Sequence, residues 1–499
     1  MTKEGMDSFE DLRLLFEPRS LALVGATNNL GKWGCIVLGN IIKGGYRGEI
    51  YPVHPTERTV LGLRAYRRIA DIGRPVELAV IVTPAHTVPG ILKECIKANV
   101  QMAIVITSGF SETGTEGTKL EREVVALARQ GSMRIVGPNS MGIYSAPATL
   151  LALMAPIEVR PGEVALISQS GNLGVQILGW GSKLGIGFHA FVSTGNEGDL
   201  SCEEYLRHFS RDTCTRVILL YIEGIDRGEP FFETLRKTTT RKPVVILKGG
   251  RTPTGSQAAR SHTGALAGDR VIIVSALKQA GAVMVNETEE LLDLAVALLR
   301  VPFPRGNKVA VITRGGGWGV LAADMCEESG LYLPPLTETA RGKLDRILPP
   351  YWSHGNPVDM AATLNPEAYI DCLSLLARDP SFDGIIALGA GTGPMQRILH
   401  DPAWLSLLRQ PEEETLRIAE GIEHMQKRIF SQIGELMEET GKPILPVSIE
   451  FEEYGIKLFD GRPIPIFTTP ERAVRTMAYL VQASRSLRLS SKSQTAKGV

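Results

Sequence analysis

The chain has 499 residues, too many for a single hydrophobic core, and is 43% hydrophobic and 22% charged, as globular proteins are. Lysine plus arginine balance aspartate plus glutamate at 54 each, so no global field steers it toward nucleic acid or an anionic membrane. Its six cysteines are scattered without C-x-x-C spacing, which supports neither a disulfide framework nor a zinc site, and no metal site is expected.

The N-terminal stretch MTKEGMDSFEDLRLLFEPRS lacks the apolar core of a signal peptide. No apolar run approaches the roughly 18–20 residues of a membrane span. A cytoplasmic protein is the expectation. In chain order, a strand, a glycine turn and a helix then recur three times, as SLALVGATNNLG (20–31), EVALISQSGNLG (163–174) and KVAVITRGGGWG (308–319). Gly25, Gly171 and Gly315 stand 146 and 144 residues apart, the length of an α/β domain.

The first block predicts strands at 21–25, 49–53, 78–82, 103–107 and 134–136. The second predicts them at 164–168, 187–192, 217–222 and 244–248. The third predicts 309–313, 384–388 and 444–449, with a long polar helix at about 412–440. Continuous Val/Ile/Ala runs suit strands buried on both faces, hence mostly parallel sheets with ligands at the strand C-termini. Boundaries fall at RPGE (160–163) and VPFPRGNK (301–308). The expected domains are 10–150, 160–300 and 305–485. The Ser/Lys-rich tail, 486–499, is expected to be disordered.

The first turn, GATNNLGKWG, fails as a Walker A loop. Five residues separate Gly25 from Gly31-Lys32, and Trp33 stands where a magnesium-binding hydroxyl is needed. It fails as a dinucleotide fingerprint too, since Ala26 and Thr27 follow Gly25. The second strand ends in Pro52-Val53-His54-Pro55 with no carboxylate there for an adenosine ribose. A nicotinamide-dependent oxidoreductase is therefore disfavoured. What remains is a turn able to cradle some phosphate with backbone N–H groups, or a tight turn without ligand. Loops at 82–85, 107–110 and 137–140 place small or polar residues on the same edge.

The second turn, Ser168-Gln169-Ser170-Gly171-Asn172, opens a helix and forms an anion site suited to phosphate; Ser170 or Asn172 could equally cap that helix. In Arg260-Ser261-His262-Thr263-Gly264 a histidine sits among small residues rather than on an apolar stripe. A movable loop there would present a neutral imidazole, a competent nucleophile whose other nitrogen needs an acceptor. Glu223, after the strand at 217–222, is where that acceptor is wanted; a solvated loop carboxylate is the alternative.

These residues resemble a known family, the alpha subunits of ADP-forming (NDP-forming) acyl-CoA synthetases, relatives of the succinyl-CoA synthetase alpha subunit. The resemblance spans about 10–485 and rests on SHTGALAG (261–268), LISQSGNLG (166–174), VSTGNEGD (192–199), YIEGI (221–225), GPNSMG (137–142) and GNPVD (355–359). It implies three α/β domains with Rossmann-like and flavodoxin-like, mostly parallel sheets. His262 would carry the phosphoryl group, Glu223 would orient it, and Ser170, Gly171 and Asn172 would bind its phosphate. CoA would lie along Gly25, Ala26, Thr27 and Asn28, Val53 and His54, Thr83 and Pro84, and Ser108 and Gly109.

The implied reaction interconverts acyl-CoA, ADP and phosphate with a carboxylic acid, CoA and ATP. It also implies an ATP-grasp beta subunit holding ATP/ADP and Mg2+. The competing reading is a non-catalytic CoA- or acyl-CoA-binding regulatory protein on the same scaffold, for which a His262 and Glu223 pair has no use. Two residues depart from the family pattern. Arg314 opens the third glycine turn, where a smaller residue is usual, and Arg260 precedes SHTGALAG.

Overall fold

The computed structural model describes residues 12–225, 228–257, 270–361, 363, 365–392, 398, 401–408, 412–448 and 455–495. They divide into two compact units, Met1–Ser182 with Ile186–Leu291, and Lys183–Gly185 with Leu292–Val499.

In the first unit, a five-stranded parallel sheet has the spatial order Glu49–Val53, Ser20–Val24, Leu78–Ile81, Met102–Val105, Arg134–Val136. Side chains alternate across a strand, so both faces of this sheet must be apolar to be covered. Leu21, Leu23, Leu78, Val80, Met102 and Ile104 enter one core. Ala22, Val24, Ala79, Ile81, Ala103 and Val105 enter the other, under Val88, Leu92, Val124 and Ala128 of the helices Val88–Lys97 and Thr115–Gln130. The continuous apolar runs have this cause.

A seven-stranded sheet follows, in the order Val283–Val285, Val244–Lys248, Val217–Ile222, Pro161–Ser168, Phe188–Ser193, Gly142–Ser145, Leu150–Leu153. Its first five strands are parallel, whereas Gly142–Ser145 and Leu150–Leu153 form an antiparallel hairpin on Phe188–Ser193. The hairpin was not among the predicted strands. It also ties to the first sheet: buried Asn40, on the helix Trp33–Lys43, donates to the carbonyls of Leu153 at 2.8 Å and Ala155 at 3.0 Å.

The second unit carries a parallel sheet in the order Val358–Asp359, Val309–Thr313, Gly384–Leu388, Ile444–Val447. Helix Gly316–Glu328 pairs with Pro470–Thr495, and Pro366–Arg378 with Glu412–Thr440. The last helix spans Pro470–Thr495 and so runs past 486. Ser484 donates to the Pro304 carbonyl at 2.8 Å and Arg488 to that of Arg305 at 2.6 Å. No helix among the described residues is long and apolar enough to cross a membrane.

Candidate active site

At the C-terminal end of the first strand the chain reverses at Gly25, whose φ of +95° and whose hypothetical Cβ, 2.4 Å from the Val82 carbonyl oxygen, both require glycine. Gly34, in the first turn of the following helix, lies so close that a Cβ would stand 2.0 Å from the Gly25 oxygen. The turn is thus clamped between two strands and a helix start.

Its donors face a carboxylate. Thr27 Oγ1 donates to Glu57 at 2.8 Å, the Asn28 amide lies 3.4 and 3.5 Å from the two Glu57 oxygens, and the Asn28 side chain donates to the same group. The sequence reading that no carboxylate stands near the end of the second strand is corrected here. Glu57 lies four residues beyond Val53, and the intervening turn folds it back. His54 Nδ1 makes that turn by accepting from the backbone of Glu57 at 3.0 Å and of Thr56 at 3.3 Å. Thr27 is the leading cause of a Glu57 carboxyl held below its ordinary value, with the Asn28 donors and nearby His54 adding to it.

The other loops on this edge interlock. Thr107 Oγ1 donates to the Thr83 carbonyl at 2.7 Å, and Thr87 Oγ1 to Thr83 Oγ1 at 2.9 Å. Pro84 and Ser108 are exposed, whereas Val53 is buried. Gly109, at φ +106°, donates its amide to Glu112 at 2.6 Å, and Phe110 does so at 3.1 Å. The candidate CoA residues Gly25, Ala26, Thr27, Asn28, Val53, His54, Thr83, Pro84, Ser108 and Gly109 therefore share one edge of one sheet. Two of the amide groups expected to meet a phosphate are turned to Glu57 and Glu112. A cavity of about 1030 Å3 lies at the opposite strand ends, lined by Arg19, Glu77, Lys93, Lys97 and Gln101 among others, away from these loops.

In the second sheet, Ser170, Gly171 and Asn172 stand at the start of the helix Gly171–Lys183. Ser168 Oγ donates to the Ser170 carbonyl at 2.7 Å, and the Gly174 amide closes on the same carbonyl at 2.9 Å. A Cβ on Gly171 would meet Met141 at 2.0 Å, so close packing decides that glycine. The first amides of a helix have no intrahelical acceptor and carry its positive end, which suits an anion.

Gln169 joins this helix start to Glu223. Its Oε1 accepts the amides of Glu223 at 2.5 Å and Gly224 at 3.1 Å, while its Nε2 donates to the Gly224 carbonyl at 3.1 Å. The Tyr221 hydroxyl donates to Glu223 Oε1 at 3.2 Å, and Lys248 Nζ to the Glu223 carbonyl at 2.7 Å. Burial pushes the Tyr221 hydroxyl up, with the Glu223 charge adding to it. Burial lowers Lys248 against the same charge. Glu223 is thus a structured, half-buried carboxylate rather than a loose one. His262, with Arg260 and the rest of residues 258–269, lies outside the described residues.

The turn at 194–199, part of VSTGNEGD, had no role assigned from sequence. Asn196 donates through Nδ2 to Glu112 Oε2 at 2.6 Å, Glu121 Oε2 at 2.9 Å and Ser111 Oγ at 3.1 Å. Glu197, at φ +54°, accepts from Cys202 Sγ at 2.9 Å and Gln169 Nε2 at 3.1 Å. The asparagine-glutamate spacing in that motif was the only available signal. In the second unit, Arg314 stacks on Tyr369 with its guanidinium carbon 4.8 Å from the ring centroid. Asp359 of GNPVD approaches the glycine turn, 2.9 Å from where a Gly316 Cβ would stand.

Three family models match the chain in succession. A CoA binding domain covers 19–146, a succinyl-CoA ligase like flavodoxin domain 161–298, and a Ligase-CoA domain 309–431. The ADP-forming acetate–CoA ligase I subunit alpha of Pyrococcus furiosus is 35% identical over 478 residues, covering 95% of this chain and 98% of that one. The corresponding II subunit alpha is 37% identical over the same span, with the same coverage. The structure of Ca. Korarchaeum cryptofilum dinucleotide forming acetyl-coenzyme A synthetase 1, in complex with phosphate and ADP, superposes with a TM-score of 0.83 at 33% identity, covering 97% of this chain and 99% of that one. Full-length identity, three domains in the same order and a helix start tied to a structured glutamate agree: the chain belongs to the family of ADP-forming acetate–CoA ligase alpha subunits.

Proposed function

We propose that the chain is the alpha subunit of an acid–CoA ligase that works through phosphohistidine at His262, with CoA and acyl-CoA held on the edge of the first sheet. The carrying observation is the 2.5 Å bond between Gln169 and the Glu223 amide, which sets a carboxylate beside a phosphate-suited helix start. In the acyl-CoA-consuming direction, a phosphate oxygen attacks the acyl carbon and the CoA thiolate leaves, giving an acyl phosphate. The imidazole of His262 then attacks phosphorus and a carboxylate leaves. A nucleoside diphosphate oxygen finally takes the phosphoryl group from the imidazole. Glu223 accepts the N–H of the attacking ring and balances the imidazolium as it forms, while the amides at Ser170, Gly171 and Asn172 take the charge on the phosphoryl oxygens. Acid activation is the reverse.

On this reading an ATP-grasp beta subunit supplies ATP/ADP and Mg2+, and the assembly is cytoplasmic, in keeping with six free cysteines. The purified chain, incubated with radiolabelled acetyl phosphate, is expected to take up one acid-labile, base-stable phosphoryl group. His262→Asn should abolish the label and leave CoA binding intact. Undiminished labelling of that variant would overturn the mechanism.

A further inference from the structure

Between the CoA edge of the first sheet and Glu223 of the second lies a single short turn, and its two adjacent side chains point to opposite sides. Asn196 reaches the first sheet and Glu197 the second. On the first side, Asn196 Nδ2 is 2.6 Å from Glu112 Oε2, and Glu112 Oε1 in turn accepts the amides of Gly109 and Phe110. On the second, Glu197 Oε1 accepts Gln169 Nε2 at 3.1 Å, and Gln169 Oε1 accepts the amide of Glu223.

We propose that Asn196 and Glu197 are positioning residues, Asn196 fixing the loop 108–110 through Glu112 and Glu197 fixing Glu223 through Gln169. Neither touches substrate. The turn can serve both sides because its backbone is pinned independently of these side chains. The Asn196 amide donates to the Pro138 carbonyl at 2.9 Å and the Gly198 amide to that of Gly137 at 3.1 Å. Gly195 also approaches Pro138 so closely that a Cβ would stand 2.2 Å from its carbonyl oxygen.

The left-handed φ of +54° at Glu197 disfavours most side chains, and here it turns consecutive residues to opposite partners. The two carboxyls answer differently. Burial raises Glu112, but the donors Asn196, Gly109 and Phe110 outweigh it and hold the group below its ordinary value. At Glu197 burial prevails over Cys202, Gln169 and Thr194 and pushes the group up.

The inference rests on the phosphohistidine and CoA readings above. Two quantities are measured on the full chain: the CoA dissociation constant by calorimetry, and the initial rate of labelling by radiolabelled acetyl phosphate. Asn196→Asp should weaken CoA by about tenfold, the scale of a lost charge-assisted hydrogen bond. Glu197→Leu should slow labelling by about tenfold with CoA affinity little changed. Glu197→Gln, which keeps the acceptor oxygen, should restore most of the rate.

If either first variant does not fold, Glu112→Ala or Gln169→Met removes the same link from its other end. A purely structural role would lower both readouts together with the melting temperature, and that outcome overturns the proposal. So does a folded variant whose own readout stays at the wild-type value. Wild-type chain that neither binds CoA nor takes label overturns the parent reading and this one with it.

Discussion

The carboxamide oxygen of Gln169 lies 2.5 Å from the backbone nitrogen of Glu223, across 54 residues of sequence. One neutral side chain thereby fixes where the Glu223 carboxylate begins, while the Tyr221 hydroxyl fixes one of its oxygens.

Glu223→Gln keeps an amide oxygen able to accept the imidazole N–H but removes the charge that supports an imidazolium. Labelling of the chain by acetyl phosphate should slow by roughly ten- to a hundredfold, the kinetic counterpart of ~1–3 kcal/mol for a charge-assisted hydrogen bond. An unchanged labelling rate would remove Glu223 from the mechanism.

Glu57 holds the shape of the turn at 25–28, since Thr27 and Asn28 both donate to it. Glu57→Ala deprives a buried hydroxyl and an amide side chain of their common acceptor. Calorimetric titration should show CoA binding weakened severalfold, with a modest fall in melting temperature because Glu57 is largely buried and satisfies the buried Thr27 hydroxyl. Wild-type CoA affinity in this variant would show that the turn does not contact the ligand.

Asp199 is buried and accepts from Arg129 at 3.0 Å, Arg134 at 2.9 Å and the Ile135 amide at 2.9 Å, joining the two sheets of the first unit. Asp199→Ala leaves two guanidinium groups and a buried amide without it. The expected loss is about 3 kcal/mol, the low end for a broken buried pair because Arg129 is half exposed. Thermal denaturation should show a clearly lowered first transition; a shift within experimental scatter would contradict this account.

Burial raises the Glu197 carboxyl above its ordinary value of 4.5, so the folded chain holds that proton more tightly than the unfolded chain does. The group's contribution to stability is therefore full below pH 4.5 and is lost as pH rises through the folded-state value. Glu197→Gln, neutral at every pH, should melt higher than wild type at neutral pH, and the gap should close on acidification. A gap that is constant with pH would mean that Glu197 is ionised in the fold as freely as in solution.

The chain lacks a usable Walker A loop, Trp33 standing where the magnesium hydroxyl belongs. Purified alone, it should form no acyl-CoA from acid, CoA and ATP, and a compatible ATP-grasp subunit should restore that activity and co-purify with it. Robust turnover by the single chain would locate a nucleotide site within it.

Periodicity made the central strands readable. Ala79 and Val80 enter different cores from one strand, and only an apolar run can serve a sheet covered on both faces. The hairpin Gly142–Ser145 and Leu150–Leu153 escaped because GIYS and LLAL are short and carry no turn pair of the strongest hairpin type between them. Their antiparallel pairing with Phe188–Ser193 is a long-range contact that no local pattern encodes.

The sequence by itself determined the three strand–turn–helix repeats and the glycines that such turns demand, because these depend on local backbone geometry written along the chain. The candidate CoA, phosphate and histidine residues followed from the resemblance of its motifs to a known family. Only the tertiary structure decided which carboxylates face those loops. Glu57 reaches Thr27 across 30 residues, Asn196 reaches Glu112 across 84, and Gln169 reaches Glu223 across 54. A carboxylate on a surface loop and one buried against backbone amides look alike in sequence. Their charge and their partners differ because desolvation and hydrogen bonding are set by what the fold brings within 3 Å, not by neighbours along the chain.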